Sequence, residues 1–130
     1  MKLLIAGSRT IPEHKLYLRH KITKAVKNLC KDILDIKYVI SGTATGGDMV
    51  GEIWARMYDI NIKRFPANWK KFGKAAGSIR NEEMAIECDA GIVIIENESS
   101  GSMNMIKNLE KHKKPYIRID FNREEDKNCL

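Results

Sequence analysis

The sequence predicts a three-layer α/β sandwich: one domain over residues 1–120, built on a five-stranded parallel sheet in the order 3-2-1-4-5, and a polar tail at residues 121–130. Three observations carry this reading. Short apolar runs alternate with amphipathic stretches in the order β-α-β-α-β-α-β-α-β. The most apolar run, Gly91-Ile92-Val93-Ile94-Ile95, reads as a central strand covered on both faces. A length of 130 residues with 43% hydrophobic residues suffices for one core and is too short for two. Strand-helix-strand crossovers are right-handed, so the alternation closes into a parallel sheet flanked by helices.

Taken in order, residues 2–6 form a buried strand that stops at Gly7-Ser8-Arg9-Thr10. Leu18, Ile22, Val26, Leu29 and Ile33 recur at spacings of three and four, which predicts a helix over residues 13–34 with one apolar stripe. Residues 37–41 are β-branched and aromatic and run into the glycine-rich stretch at residues 42–48. Val50, Ile53, Trp54 and Met57 mark a second helix ending near Tyr58. Residues 60–65 alternate apolar and polar before Pro66, as expected of a strand near the sheet edge. A basic loop follows at residues 68–77, and Ser78 is placed to cap a helix over residues 79–87. After the strand at residues 91–95 comes a small-residue turn at residues 96–102. Met103, Ile106 and Leu109 then mark a helix ending near Lys113, and Pro115 precedes a last strand at residues 116–119. The architecture is Rossmann-like.

A mean hydropathy of −0.39 and the absence of any apolar run near ~18 residues argue against disorder and against a membrane span. The first seven residues are too short for a secretory signal, which points to a cytoplasmic protein. Cys30, Cys88 and Cys129 are odd in number and far apart, and His14, His20 and His112 are equally scattered. Neither a disulfide framework nor a zinc site is indicated. The net charge of +6 and pI near 9.3 suit a polyanionic partner, although the cations are interspersed along the chain.

In an open parallel sheet the loops after the strand ends share one rim, and a ligand settles where the strand order reverses, here between the first and fourth strands. Gly42, Gly46 and Gly47 before a helix either offer their amides to a phosphate or serve only close helix-strand packing. Their spacing matches neither the Walker nor the dinucleotide pattern. Arg9 either reaches a phosphate across the crevice or is a solvated arginine. Asp48 either complements the helix dipole or accepts from a ribose. Arg80 and Asn81 in the first turn of their helix point to an anionic neighbour, because the dipole disfavours a cation there. Glu52, Glu82 and Glu83 read as solvated helix-face acids. Trp69 and Phe72 either stack a base or pack on the core, with at least one expected in the core.

The combination of GSR after the first strand, SGTATGGD after the second, GSIRNEEMA at the third helix and ESSGS before the fourth resembles the SLOG superfamily of Rossmann-like nucleotide-binding domains. It is most similar to the YspA-like (YpsA-related) branch found in bacteria and their phages. The resemblance covers residues 1–120. It implies a nucleotide or nucleotide-derived ligand, with phosphate on the loop at residues 42–48 and Arg9 and Arg80 as clamps. The expected ligand-binding residues are Gly7, Ser8, Arg9, Gly42, Thr43, Gly46, Gly47, Asp48, Arg80, Asn81, Glu96, Gly101 and Ser102. Mg²⁺ can enter with the phosphate without leaving a motif, and relatives commonly pair through helices.

Two other functions follow from the same resemblance. Lonely Guy relatives cleave an N-glycosidic bond with an arginine and a glutamate three residues beyond a glycine-threonine pair. Gly101-Ser102 stands at that pair, but Met105 occupies the glutamate position, and a thioether transfers no proton. A hydrolase acting on an N-glycosidic or phosphate bond of a nucleotide would need Asp48, Glu52, Glu96 or Glu98 instead. DNA-processing (DprA-like) relatives suggest single-stranded nucleic-acid binding through Lys63, Arg64, Lys70, Lys71 and Lys74 beside Trp69 and Phe72.

Overall fold

A computed structural model describes residues 1–124; Cys129 and the greater part of the predicted tail lie outside the described residues. The five strands are β1 (Lys2–Gly7), β2 (Tyr38–Ser41), β3 (Ile62–Arg64), β4 (Ala90–Ile95) and β5 (Tyr116–Asp120). They form one all-parallel sheet in the order β3-β2-β1-β4-β5, as the alternation predicts. The helices are α1 (Leu16–Leu29), α2 (Gly47–Met57), the one-turn α3 (Trp69–Phe72), α4 (Ala76–Glu87) and α5 (Ser100–Lys111).

Side chains of a strand alternate between faces, and this divides the core in two. Leu3 and Ile5 of β1 join Ile92 and Ile94 of β4 on the face covered by α1 and α2, where Leu18, Ile22, Val26, Val50 and Trp54 are buried. Leu4, Ala6, Val93 and Ile95 face the other way, onto Met84 and Ala85 of α4 and Met105, Ile106 and Leu109 of α5. All six residues of β4 are buried, in keeping with its apolar run. The edge strand β3 keeps only three residues, with Lys63 and Arg64 exposed.

β3 is shorter than the residues 60–65 read from the sequence, and three further differences have a visible cause. The first helix spans Leu16–Leu29 rather than residues 13–34. At its start, Glu13 is drawn away to accept the Gly46 amide at 2.8 Å. Beyond its end, Asp32 and Asp35 form a reciprocal capping box that starts a separate 3₁₀ turn at Ile33–Asp35 and leaves Leu34 86% exposed. The third long helix begins at Ala76, continuing out of a 3₁₀ turn at Gly73–Ala75, so Ser78 lies inside the helix and caps nothing. Arg80 and Asn81 consequently sit beyond the first turn. Finally, the domain runs past residue 120 into the expected polar tail: the Phe121 amide bonds Ile95 O at 2.7 Å, its ring is buried, and Arg123 reaches the rim.

Candidate functional site

The order reversal sets β1 beside β4, with Gly7 opposite Ile94, and a cleft of about 640 Å³ opens above their C-terminal ends. Its walls come from four segments. The end of β1 contributes Gly7, Ser8, Arg9 and Thr10; the second connection contributes Ala44 and Asp48. Trp69, Lys74, Ser78, Arg80, Asn81 and Met84 supply a third wall, and Ser99, Ser100, Gly101, Ser102, Asn104 and Met105 the fourth.

The rim is held together by hydroxyls. Ser8 Oγ lies 2.6 Å from Ser99 Oγ and 3.2 Å from Ser102 Oγ, and it accepts the Glu96 amide at 2.9 Å. The Ser99 hydroxyl is thus committed to Ser8 and Ser102, and no side chain caps α5. The first-turn amides at Ser100, Gly101 and Ser102 therefore face the cleft with the positive end of a twelve-residue helix behind them. A Cβ at Gly101 would meet nothing within 4 Å, so packing does not require glycine there.

The loop at residues 42–48 is built differently. The Thr43 amide bonds Ser41 Oγ at 3.1 Å, Ala44 bonds Asp48 Oδ2 at 3.1 Å, Gly46 bonds Glu13, and Gly47 bonds Ser8 O at 3.0 Å. Four amides of the expected phosphate cradle are spent on the protein itself. Gly46, with φ +82°, and Gly47 answer to packing: a Cβ at Gly46 would lie 2.2 Å from Ser8 O. Of this loop only Ala44 and Asp48 line the cleft. Gly42 leaves room for two charged groups, since a Cβ there would stand 2.8 Å from Asp48 Oδ2 and 2.9 Å from Arg80 Nη1.

Those two groups set the electrostatics. Asp48 is 4% exposed, and burial pushes its carboxyl up to about 6 against the opposing pull of the Ala44 amide, Arg80 and the Gly7 amide. Arg80 donates to Gly42 O at 2.5 Å, Asn81 Oδ1 at 3.0 Å and Phe65 O at 3.5 Å. Burial lowers its pKa and nearby Arg9 adds to the effect, while Asp48 acts in the other direction. Arg9 itself is exposed and makes no hydrogen bond or ion pair with any of the described residues.

A carboxyl whose folded pKa lies above its unfolded value of 3.8 stabilises the fold fully below pH 3.8 and loses that contribution as pH rises through about 6. Denaturant unfolding at pH 5 and pH 8 is expected to show roughly 1 kcal/mol more stability from this group at pH 5. Asp48→Asn should abolish that difference. A difference that survives the substitution would assign the pH dependence elsewhere.

The cleft brings together Gly7, Ser8, Arg9, Asp48, Arg80, Asn81, Gly101 and Ser102 of the expected set, and leaves Gly42, Thr43, Gly46, Gly47 and Glu96 outside its lining. Glu96 is buried because it anchors the rim: it accepts from Thr10 Oγ1 at 2.5 Å and from Arg123 Nε at 2.7 Å. Glu52 is no solvated acid. It is 3% exposed and accepts from Ser41 Oγ at 2.7 Å and Arg64 Nη2 at 2.8 Å; burial raises its pKa, but these donors hold it below the usual range. Neither Trp69 nor Phe72 enters the core; both are exposed, and Trp69 borders the cleft. Of the basic group, Lys63 is paired with Glu87 and Arg64 with Glu52.

Sequence reasoning missed Asn104, and it assigned Lys74, which lines the cleft, only to a nucleic acid. Asn104 Oδ1 accepts from Asn81 Nδ2 at 3.0 Å and Asn108 Nδ2 at 3.3 Å, joining α4 to α5 across the cleft floor. Two asparagines four residues apart on one helix, beside its apolar stripe, were the available signal. Among the described residues, no three His, Cys, Asp or Glu side chains gather to hold a metal, and no helix is long and apolar enough to cross a membrane.

Fold and cleft define a parallel α/β sandwich with a positively charged opening at its strand-order reversal. Comparison with known proteins finds no matching family model, no matching curated protein and no matching solved structure.

Proposed function

We propose that the cleft binds a nucleotide or nucleotide-derived molecule, with its phosphate over the first turn of α5 and Arg9 closing on it from the end of β1. One observation carries the reading: a guanidinium with no partner among the described residues and the uncapped amides of Ser100, Gly101 and Ser102 border the same cleft. Arg80 adds half-buried positive charge, while the loop at residues 42–48 contributes Asp48 and shape rather than a cradle of amides. The resemblance of the four rim motifs to the SLOG superfamily supports the same ligand class.

Titration calorimetry with nucleoside monophosphates, cyclic nucleotides and ADP-ribose tests the proposal. At least one should bind and, at 100 times its Kd, stabilise the fold by about 2.7 kcal/mol. Absence of heat across the set, with the protein folded, would overturn it.

A hydrolase acting on such a ligand is the second reading, favoured by Asp48, the carboxylate lining the cleft, whose pKa of about 6 suits proton transfer near neutral pH. Met105 is buried at the cleft and offers no second acid there. Product analysis after incubation with nucleoside monophosphates separates turnover from binding alone.

A further inference from the structure

Resting on the reading of the cleft as a phosphate-ligand site, we propose that Trp69 selects the ligand by stacking on a flat heteroaromatic base, so that the site prefers nucleotides to sugar phosphates. Trp69 opens α3, borders the cleft and is 51% exposed as a residue. The chain treats its other tryptophan oppositely: Trp54 is fully buried and donates Nε1–H to Thr23 Oγ1 at 3.0 Å. Leaving a ring of this size half in water is unfavourable until a flat apolar surface covers it.

The indole is also seated. Asn68 Oδ1 accepts the Lys71 amide at 3.1 Å and caps the single turn of α3. The far edge of the ring lies over the start of α4, where a Cβ at Gly77 would stand 3.6 Å from it. A ring on a capped turn, with its far edge resting on the start of α4, loses little freedom when a base stacks on it. The uncapped first turn of α5 and the indole border one cleft, whose roughly 640 Å³ falls within the ~300–1,000 Å³ of small-molecule sites. A ligand carrying a phosphate at one end and a base at the other can engage both.

Phe72, on the same turn, is exposed but does not border the cleft, which makes it the internal control. The test titrates the full chain with the 5′-monophosphates of adenosine, guanosine, cytidine and uridine, and in parallel with ribose 5-phosphate. Tryptophan emission and calorimetry are the readouts. At least one nucleotide should perturb the emission and bind roughly 5- to 100-fold more tightly than ribose 5-phosphate. Trp69→Ala should erase that margin while leaving ribose 5-phosphate binding unchanged. Trp69→Phe should keep most of it, and Phe72→Ala all of it. Equal binding of nucleotides and ribose 5-phosphate, or a margin that survives Trp69→Ala, would overturn the role of Trp69 and leave the phosphate site standing. Failure of every probe, ribose 5-phosphate included, would overturn both.

Discussion

Gly47→Ala is expected to lower the midpoint of thermal unfolding by roughly 10 °C, the consequence of about 3 kcal/mol of lost stability in a chain of this length. Gly47 opens α2 against the end of β1, where a Cβ would stand 2.3 Å from Gly7 Cα and 2.7 Å from Gly7 N. Both are backbone atoms, so no rotamer change relieves the contact. β1 cannot retreat, because β2 and β4 hold it on either side. Helix propensity favours alanine by about 1 kcal/mol, and the steric cost exceeds it. Scanning calorimetry measures the difference; an unchanged midpoint would show that α2 and β1 can part without penalty.

Arg9→Ala should act on the ligand alone. We expect phosphate-ligand affinity to fall by ~10- to 150-fold, the equivalent of about 1.5–3 kcal/mol for a hydrogen bond to a charged group, with the unfolding midpoint unchanged. The separation of the two effects follows from the exposed guanidinium, which holds none of the described residues. Arg80 cannot serve this purpose, since its guanidinium secures Gly42 O, Phe65 O and Asn81 Oδ1. Calorimetry on wild type and variant checks the claim. Equal affinities would remove Arg9 from the site.

Much of the rim was legible because chain order places it. Gly7, Ser8 and Arg9 end or follow β1, Asp48, Gly101 and Ser102 lie in the first turns of α2 and α5, and all of them line the cleft together with Arg80 and Asn81 from inside α4. The roles within the rim were not legible. Whether a backbone amide is free depends on what distant residues approach it: Glu13 takes the Gly46 amide from 33 positions away, and Ser8 O takes that of Gly47. Glu52 and Glu96 mislead for the same reason. Glu52 reads as solvated and Glu96 as a ligand-binding side chain, while Arg64 and Arg123, from other elements, bury both in ion pairs.

Hydrophobic periodicity and the alternation of apolar runs determined the five-stranded parallel sheet, its 3-2-1-4-5 order and the edge at which the loops gather, because burial and crossover handedness depend on residue pattern alone. Only the tertiary structure decided that the glycines of residues 42–48 serve packing, that the open amides belong to α5, and that Trp69 stands at the cleft rather than in the core. Each of these rests on contacts between segments far apart in sequence, and local pattern carries no record of which groups such contacts leave unsatisfied.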